Sequence, residues 1–181
     1  MLRDCIRILF SIALFSAILT LSSCTGDDDV EKTMPVDKNK RKESLEKANR
    51  YIFLKEKEDI DDYIARHGLN VVETGSGLCY SVIKNGSGTP IKRGEVVAME
   101  YEVRLLNGDY IYGSKEDGPK AFVVGRGGVE SGLEEAVLNL HRGDIAVIIL
   151  PSHLAHGLIG DGNKITTKTP IVYKVKIIDN K

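Results

Sequence analysis

Tryptophan is absent from this chain of 181 residues, and it holds only three cysteines and five prolines. Aromatic side chains are scarce too, seven tyrosines and four phenylalanines. Neither sign of charge predominates, with 25 lysines and arginines against 26 aspartates and glutamates. There is no basic patch and no interleaving of aromatic with basic residues, which argues against a nucleic-acid partner. No internal repeat is visible, which excludes the solenoid and propeller classes. The apolar run Ile8 to Thr20 is shorter than the about 20 residues that a membrane-spanning helix needs.

That run suits a leader instead. Arg3 and Arg7 precede it, and Leu21-Ser22-Ser23-Cys24 closes it with small residues before a cysteine. The pattern looks like a lipobox, so residues 1–23 are the expected signal peptide and Cys24 the expected lipidation site. Acyl chains on Cys24 would anchor the protein to a membrane. A secretory leader with a chance cysteine is the plainer alternative. Asp27-Asp28-Asp29 resembles the surface-export signal of some Gram-negative lipoproteins; a solvated acidic tether fits equally. The expected location is the cell envelope, lipid-anchored at the outer membrane on its periplasmic or surface face. Arg3, Arg7 and Asp4 give the leader a net +1, so the remaining 158 residues sit near −2. Cys5 leaves with the leader and Cys24 is acylated, which leaves Cys79 without an intramolecular disulfide partner. Between Leu78 and Tyr80 in an alternating pattern, Cys79 reads as a core thiol.

The organisation follows from composition. Residues 24–40 are polar and charged, a flexible tether. Residues 41–68 form a helical extension: Leu45, Ala48, Ile52, Ile60 and Tyr63 give a broad apolar stripe, and Gly68 stops the helix. Lys55-Glu56-Lys57-Glu58 interrupts that stripe, which favours packing on the domain over pairing with a second copy as a homodimer. Residues 69–181 are the expected domain. Leu69 to Glu73 and Leu78 to Ile83 flank Gly75-Ser76-Gly77 and read as a hairpin. Val97, Met99, Tyr101 and Val103 alternate with polar positions in a half-buried strand. Ser131 to Leu140 is an amphipathic helix, and Ile145 to Leu150 is too apolar and β-branched for anything but a buried strand. Pro170 to Ile178 closes the sheet. The expected fold class is α+β, a curved antiparallel β-sheet wrapped around one short α-helix and preceded by the N-terminal helix.

Four segments carry more than fold. Phe122-Val123-Val124-Gly125 is followed by Val129-Glu130-Ser131-Gly132-Leu133-Glu134-Glu135-Ala136-Val137, then by Gly143-Asp144, then by Leu150-Pro151-Ser152-His153-Leu154-Ala155-His156-Gly157. In order and spacing they resemble the FK506-binding-protein family of peptidyl-prolyl isomerases, over roughly Leu78 to Asp179. Thr74-Gly75-Ser76-Gly77-Leu78-Cys79-Tyr80 is similar to the same region of gliding-motility-associated and periplasmic lipoprotein members.

The resemblance implies an apolar bowl of Tyr101, Ile111, Val129, Glu130, Leu133 and Tyr173, with His156 at the rim and the Val129–Glu130 backbone donating to a substrate carbonyl. Tyr112 stands where the family has an Asp that orients polar contacts. Ile111 replaces a frequent Phe, Leu133 the Trp that floors the pocket, and His156 the loop Tyr that donates to the peptide. Lys120 stands near where an apolar ring is usual. His156 can still donate from a ring nitrogen.

Other readings of these residues are weaker. His141, His153 and His156 lack cysteine or acidic partners at a zinc spacing, so no metal is expected. No cofactor is expected either, because rotating an amide breaks no bond. Glu134 and Glu135, adjacent on a helix, point about 100° apart and suit solvent exposure better than acid–base work. Asp161-Gly162-Asn163 is a turn rather than a calcium loop.

Two functions remain in view. One is a peptidyl-prolyl cis-trans isomerase acting on proline-containing unfolded or exported polypeptides. The other, favoured by Tyr112 and His156, is a low-activity chaperone or adaptor module on the envelope.

Overall fold

The computed structural model describes residues 38–178; the leader, Cys24 and the acidic triplet lie outside the described residues. By its packing the chain divides after Glu43, and of the first unit only residues 38–43 are described, as the start of a helix. That helix, α1, spans Lys38–His67: it begins three residues before the extension read from the sequence and ends just ahead of Gly68. Gly68 ends it at φ 59°, a conformation that costs glycine little.

After α1 come β1 (Val72–Glu73), β2 (Cys79–Lys84), β3 (Val96–Leu105) and β4 (Tyr110–Gly113). A one-turn helix α2 (Ser114–Asp117), β5 (Lys120–Val123) and α3 (Ser131–Val137) follow. β6 (Ile145–Leu150), a 3₁₀ turn (Ser152–Leu154) and β7 (Ile171–Ile177) complete the order. The fold is α+β. All pairings are antiparallel, in the order β1-β2-β6-β7-β3-β4, with β5 pairing the first half of β3 and β4 the second. The hairpin expected around Gly75-Ser76-Gly77 forms, with Val72 opposite Tyr80.

α3 supplies the centre of the core. Leu133, Ala136 and Val137 are wholly buried against Val97, Met99, Val103, Ile148, Leu150, Tyr173 and Val175 from the strands. Gly132 is what allows so short a helix to lie this close. A Cβ there would come within 2.6 Å of Leu150 Cδ2 and 2.9 Å of Leu154 Cβ. α3 ends at Val137, three residues before the sequence pattern places its end.

The opposite sheet face explains the continuous apolar run of β6. Ile148 and Leu150 point to the α3 side, while Ile149 joins Cys79, Val172, Ile60 and Tyr63 in a second cluster under α1. A strand covered on both faces has no solvent side to fill with polar residues. Cys79 is buried, and burial pushes its thiol up, as expected for a core thiol rather than a nucleophile. Only Ile60 and Tyr63 of α1 are buried; Leu45, Tyr51, Phe53 and Leu54 are exposed.

Two charged segments serve differently from their sequence reading. Glu56, within the run that breaks the α1 stripe, accepts the backbone N–H of Ser152 at 2.5 Å and its hydroxyl at 2.7 Å. Lys57 pairs with Glu73 at 2.9 Å. Glu135 is not a solvent-facing helix residue: it accepts the hydroxyls of Thr74 at 2.7 Å and Ser76 at 2.8 Å. Those bonds fasten the β1–β2 turn to α3, a physical role for Thr74 and Ser76 within their motif.

Candidate functional site

Tyr101 and Tyr173 are brought together by strand register. β3 and β7 pair with Val103 opposite Tyr173 and Tyr101 opposite Val175, so both rings lie on the α3 side of the sheet. Their centroids are 6.1 Å apart with planes tilted by 43°. Tyr173 is 1% exposed, and Tyr101 is half-buried at the mouth, its hydroxyl donating to Asp117 at 3.3 Å. Ser114 holds the Tyr101 backbone in place, accepting its N–H at 2.6 Å.

Around these rings a cavity of about 200 Å³ is lined by Tyr101, Val103, Tyr112, Lys120, Glu130, His156, Ile165 and Tyr173. Five of the eight residues expected from the sequence therefore meet at one concavity: Tyr101, Tyr112, Glu130, His156 and Tyr173. Three do not reach its surface. Ile111 is 7% exposed and Leu133 fully buried, both inside the core beneath, and Val129 is half-buried against that core. Leu133 is no floor because the buried face of α3 turns toward the sheet, and Leu133 shares that face with Ala136 and Val137. Val103, Lys120 and Ile165 take up the lining instead.

The wall opposite the rings is charged. Glu130 caps α3, so its backbone N–H lies outside the helix ladder. Its side chain is 10% exposed. Oε1 accepts the Tyr173 hydroxyl at 2.8 Å and lies 3.4 Å from His156 Nε2. Oε2 has no hydrogen-bond partner, and the Lys120 ammonium stands 3.7 Å from it. Lys120 also donates to the Tyr173 hydroxyl at 3.1 Å, with Nζ 5.0 Å and 5.4 Å from the ring centres of Tyr101 and Tyr173. Burial, and then the charge of Glu130, push the Tyr173 phenol far up, so it stays protonated and donates. Burial and the nearby Asp117 likewise raise Tyr101.

The loop after β6 closes the cavity. Tyr112 gives its hydroxyl proton to Asp161, whose other oxygen accepts the backbone N–H groups of Asn163 at 2.9 Å and Ile165 at 2.8 Å. Lys164 reaches back to the Ile111 carbonyl at 2.9 Å, and its ammonium lies 5.0 Å from the Tyr112 ring centre. The Asp161 turn read from the sequence is thus a clasp. Burial opposes ionisation of Asp161, but the Tyr112 hydroxyl and the two N–H groups outweigh it and hold the carboxyl below its ordinary value. At the base of the same loop, His153 Nε2 lies 3.0 Å from the Ser76 carbonyl.

A larger depression, about 480 Å³, lies beside Tyr101 and is rimmed by Glu100, Glu102, Lys115, Lys174 and Lys176. It is wider and more charged, with Lys176 already paired to Glu100 at 3.1 Å. The smaller cavity is lined by three tyrosines and by the buried aliphatic groups of Val103 and Ile165.

The family model for FKBP-type peptidyl-prolyl cis-trans isomerases matches residues 87–178. The chain belongs to that family. A Neisseria meningitidis protein named "Probable FKBP-type peptidyl-prolyl cis-trans isomerase FkpA" is 32% identical over 149 residues, covering 82% of this chain and 51% of the relative. A Haemophilus influenzae protein, "Probable FKBP-type peptidyl-prolyl cis-trans isomerase", is 26% identical over 156 residues, covering 84% of this chain and 64% of the relative. The chain thus spans about half the length of the Neisseria relative. Among solved structures, a peptidyl-prolyl cis-trans isomerase from Pseudomonas syringae pv. tomato superposes with a TM-score of 0.61 at 25% identity. That superposition covers 72% of this chain and 93% of the other. The ring-lined cavity holds the Lys120–Glu130 pair.

Proposed function

We propose that this protein is a peptidyl-prolyl cis-trans isomerase acting on proline-containing unfolded or exported polypeptides, held at the cell envelope by acyl chains on Cys24. The observation that carries the reading is the cavity itself. Three tyrosines from β3, β4 and β7 and two aliphatic side chains surround a space suited to a proline ring, beside the backbone N–H of Glu130.

An Xaa–Pro amide rotates over a barrier of about 18–20 kcal/mol because resonance stiffens its C–N bond. A pocket that strips water from the carbonyl disfavours the charge-separated resonance form, and one that grips the ring favours the twisted amide over the planar one. Tyr101 and Tyr173 supply the grip, while Val103 and Ile165 exclude water. The Glu130 backbone N–H and the His156 ring are the donors within reach of a turning carbonyl. No proton or covalent bond has to move.

Acceleration of cis-to-trans relaxation in a fluorescent Leu-Pro peptide by the purified protein tests this. A rate equal to buffer, in a sample that still binds unfolded chains, would replace the enzyme with the chaperone or adaptor reading. The observation favouring that second reading is the charged pair lining the cavity, which lowers its affinity for an apolar ring.

The anchor rests on Arg3, Arg7, the Ile8–Thr20 run and Leu21-Ser22-Ser23-Cys24. A fatty-acid analogue should label the wild type and not Cys24→Ser; equal labelling would remove the lipid anchor from the account.

A further inference from the structure

Glu130 carries the only buried side-chain polar atom, among the described residues, that lacks a hydrogen-bond partner. Glu130 lines the cavity, and its carboxylate is nine-tenths buried, with Oε2 out of reach of solvent. The group that offsets its charge is Lys120, whose ammonium covers the faces of Tyr101 and Tyr173. A proline ring that stacks on those two faces takes the place of the ammonium. Lys120 can leave, since its side chain is 26% exposed at the mouth and its stem is flexible. Its departure strands Glu130. Oε1 keeps the Tyr173 hydroxyl and the nearby His156, but Oε2 then faces neither a donor nor a cation. An ionised carboxylate left buried without its partner is strongly disfavoured. An incoming peptide therefore binds best when it brings a cation of its own.

Building on the isomerase reading, we infer that Glu130 selects Xaa-Pro segments with a lysine or arginine beside the proline, and that Lys120 is the internal cation such a side chain replaces. The surrounding groups agree with a cationic visitor. The faces of Tyr101 and Tyr173 that Lys120 leaves attract ammonium and guanidinium groups, while the Tyr112 face keeps Lys164. Asp117 and Asp161 stand at the Tyr101 and Tyr112 hydroxyls on the rim. Neutral or acidic flanking residues leave Oε2 unmatched and compete poorly with Lys120.

Binding, read by fluorescence anisotropy, and turnover are measured together on peptides of one length containing Leu-Pro, Lys-Pro, Pro-Lys and Glu-Pro. The proteins are wild type, Glu130→Gln and Lys120→Met. Wild type should prefer a lysine-flanked peptide over Leu-Pro by about tenfold, the scale of one charge-assisted hydrogen bond. Glu130→Gln should erase the preference while keeping an acceptor for Tyr173, and Lys120→Met should enlarge it. Added salt should narrow it in wild type. Thermal melting checks that each variant folds, and Lys120→Met, altered at the mouth, decides the matter should the Gln variant unfold. Equal preference in wild type and Lys120→Met overturns the inference. Leu-Pro bound and turned over as well as Lys-Pro in all folded proteins refutes the selectivity and leaves the isomerase standing. Peptides that bind with the predicted order but are never turned over refute the isomerase and leave the selectivity standing.

Discussion

Tyr173→Phe removes one oxygen and leaves the ring, so it isolates what the phenol does for the buried charge. Tyr173 is 1% exposed, and a hydroxyl's volume leaves too little space to matter as a cavity. The change deletes the 2.8 Å bond to Glu130 and the 3.1 Å bond from Lys120. A hydrogen bond to a charged group is worth about 1.5–3 kcal/mol, and the bond that Tyr173 accepts from the Lys120 ammonium adds less because Lys120 can turn to water. The expected loss is about 2–3 kcal/mol, which lowers Tm by roughly 5–10 °C in a domain of this size. Urea unfolding should show an unchanged slope with an earlier midpoint. In a Glu130→Leu background the same substitution should cost under about 1 kcal/mol, since the carboxylate that needed the donor is gone. A loss below about 0.5 kcal/mol in the native background, or equal losses in both, would refute the view that Tyr173 exists here to satisfy Glu130.

Glu56→Ala should cost about 1–3 kcal/mol in chemical denaturation by leaving the Ser152 N–H and hydroxyl unmatched, and should raise KM for a proline peptide by loosening the loop that carries His156. Gly132→Ala should destabilise by about 1–3 kcal/mol despite alanine's better helix propensity, because Leu150 and Leu154 occupy the space; a gain in Tm would show that the helix can retreat. Asp161 has a lowered folded-state pKa, so its stabilisation of the loop is present above the ordinary aspartate value of 3.8 and is lost as pH falls below it. Proteolysis of the loop should therefore quicken as pH falls below that value in wild type, and show no such step in Asp161→Asn.

The strands and α3 were legible because each leaves a period in the sequence. Val97, Met99, Tyr101 and Val103 face one way, and β6 reads as unbroken apolar sequence because α1 covers its second face. The family's spacing then pointed to Tyr101, Tyr112, Glu130, His156 and Tyr173 together. What stayed hidden were pairings that only the folded chain creates. Glu56 lies 96 residues from Ser152, Tyr112 lies 49 from Asp161, and Glu135 lies 61 from Thr74. Nothing in the local pattern of a charged residue says whether it faces water or a distant N–H. Lys120 was visible as an oddity and Glu130 as a backbone donor. Their meeting across the cavity depends on β5 pairing with β3, which aligns Lys120 with Met99 beside Tyr101. Leu133 was misplaced for a related reason: its spacing puts it on the apolar face of α3, but the rotation of that face decides between cavity and core.

The central claim is that the cavity between Tyr101, Tyr112, Glu130, His156 and Tyr173 is where a proline segment binds and turns. A single NMR titration of the isotopically labelled protein with a Leu-Pro peptide tests it, since the same sample reports amide shifts in the protein and cis–trans exchange in the peptide. The account predicts shifts concentrated at those five residues and at Lys120, with exchange peaks that grow with protein concentration. Shifts confined to the Glu100–Lys176 depression or to the exposed Tyr51–Leu54 face of α1, with the cavity residues unmoved, would contradict it.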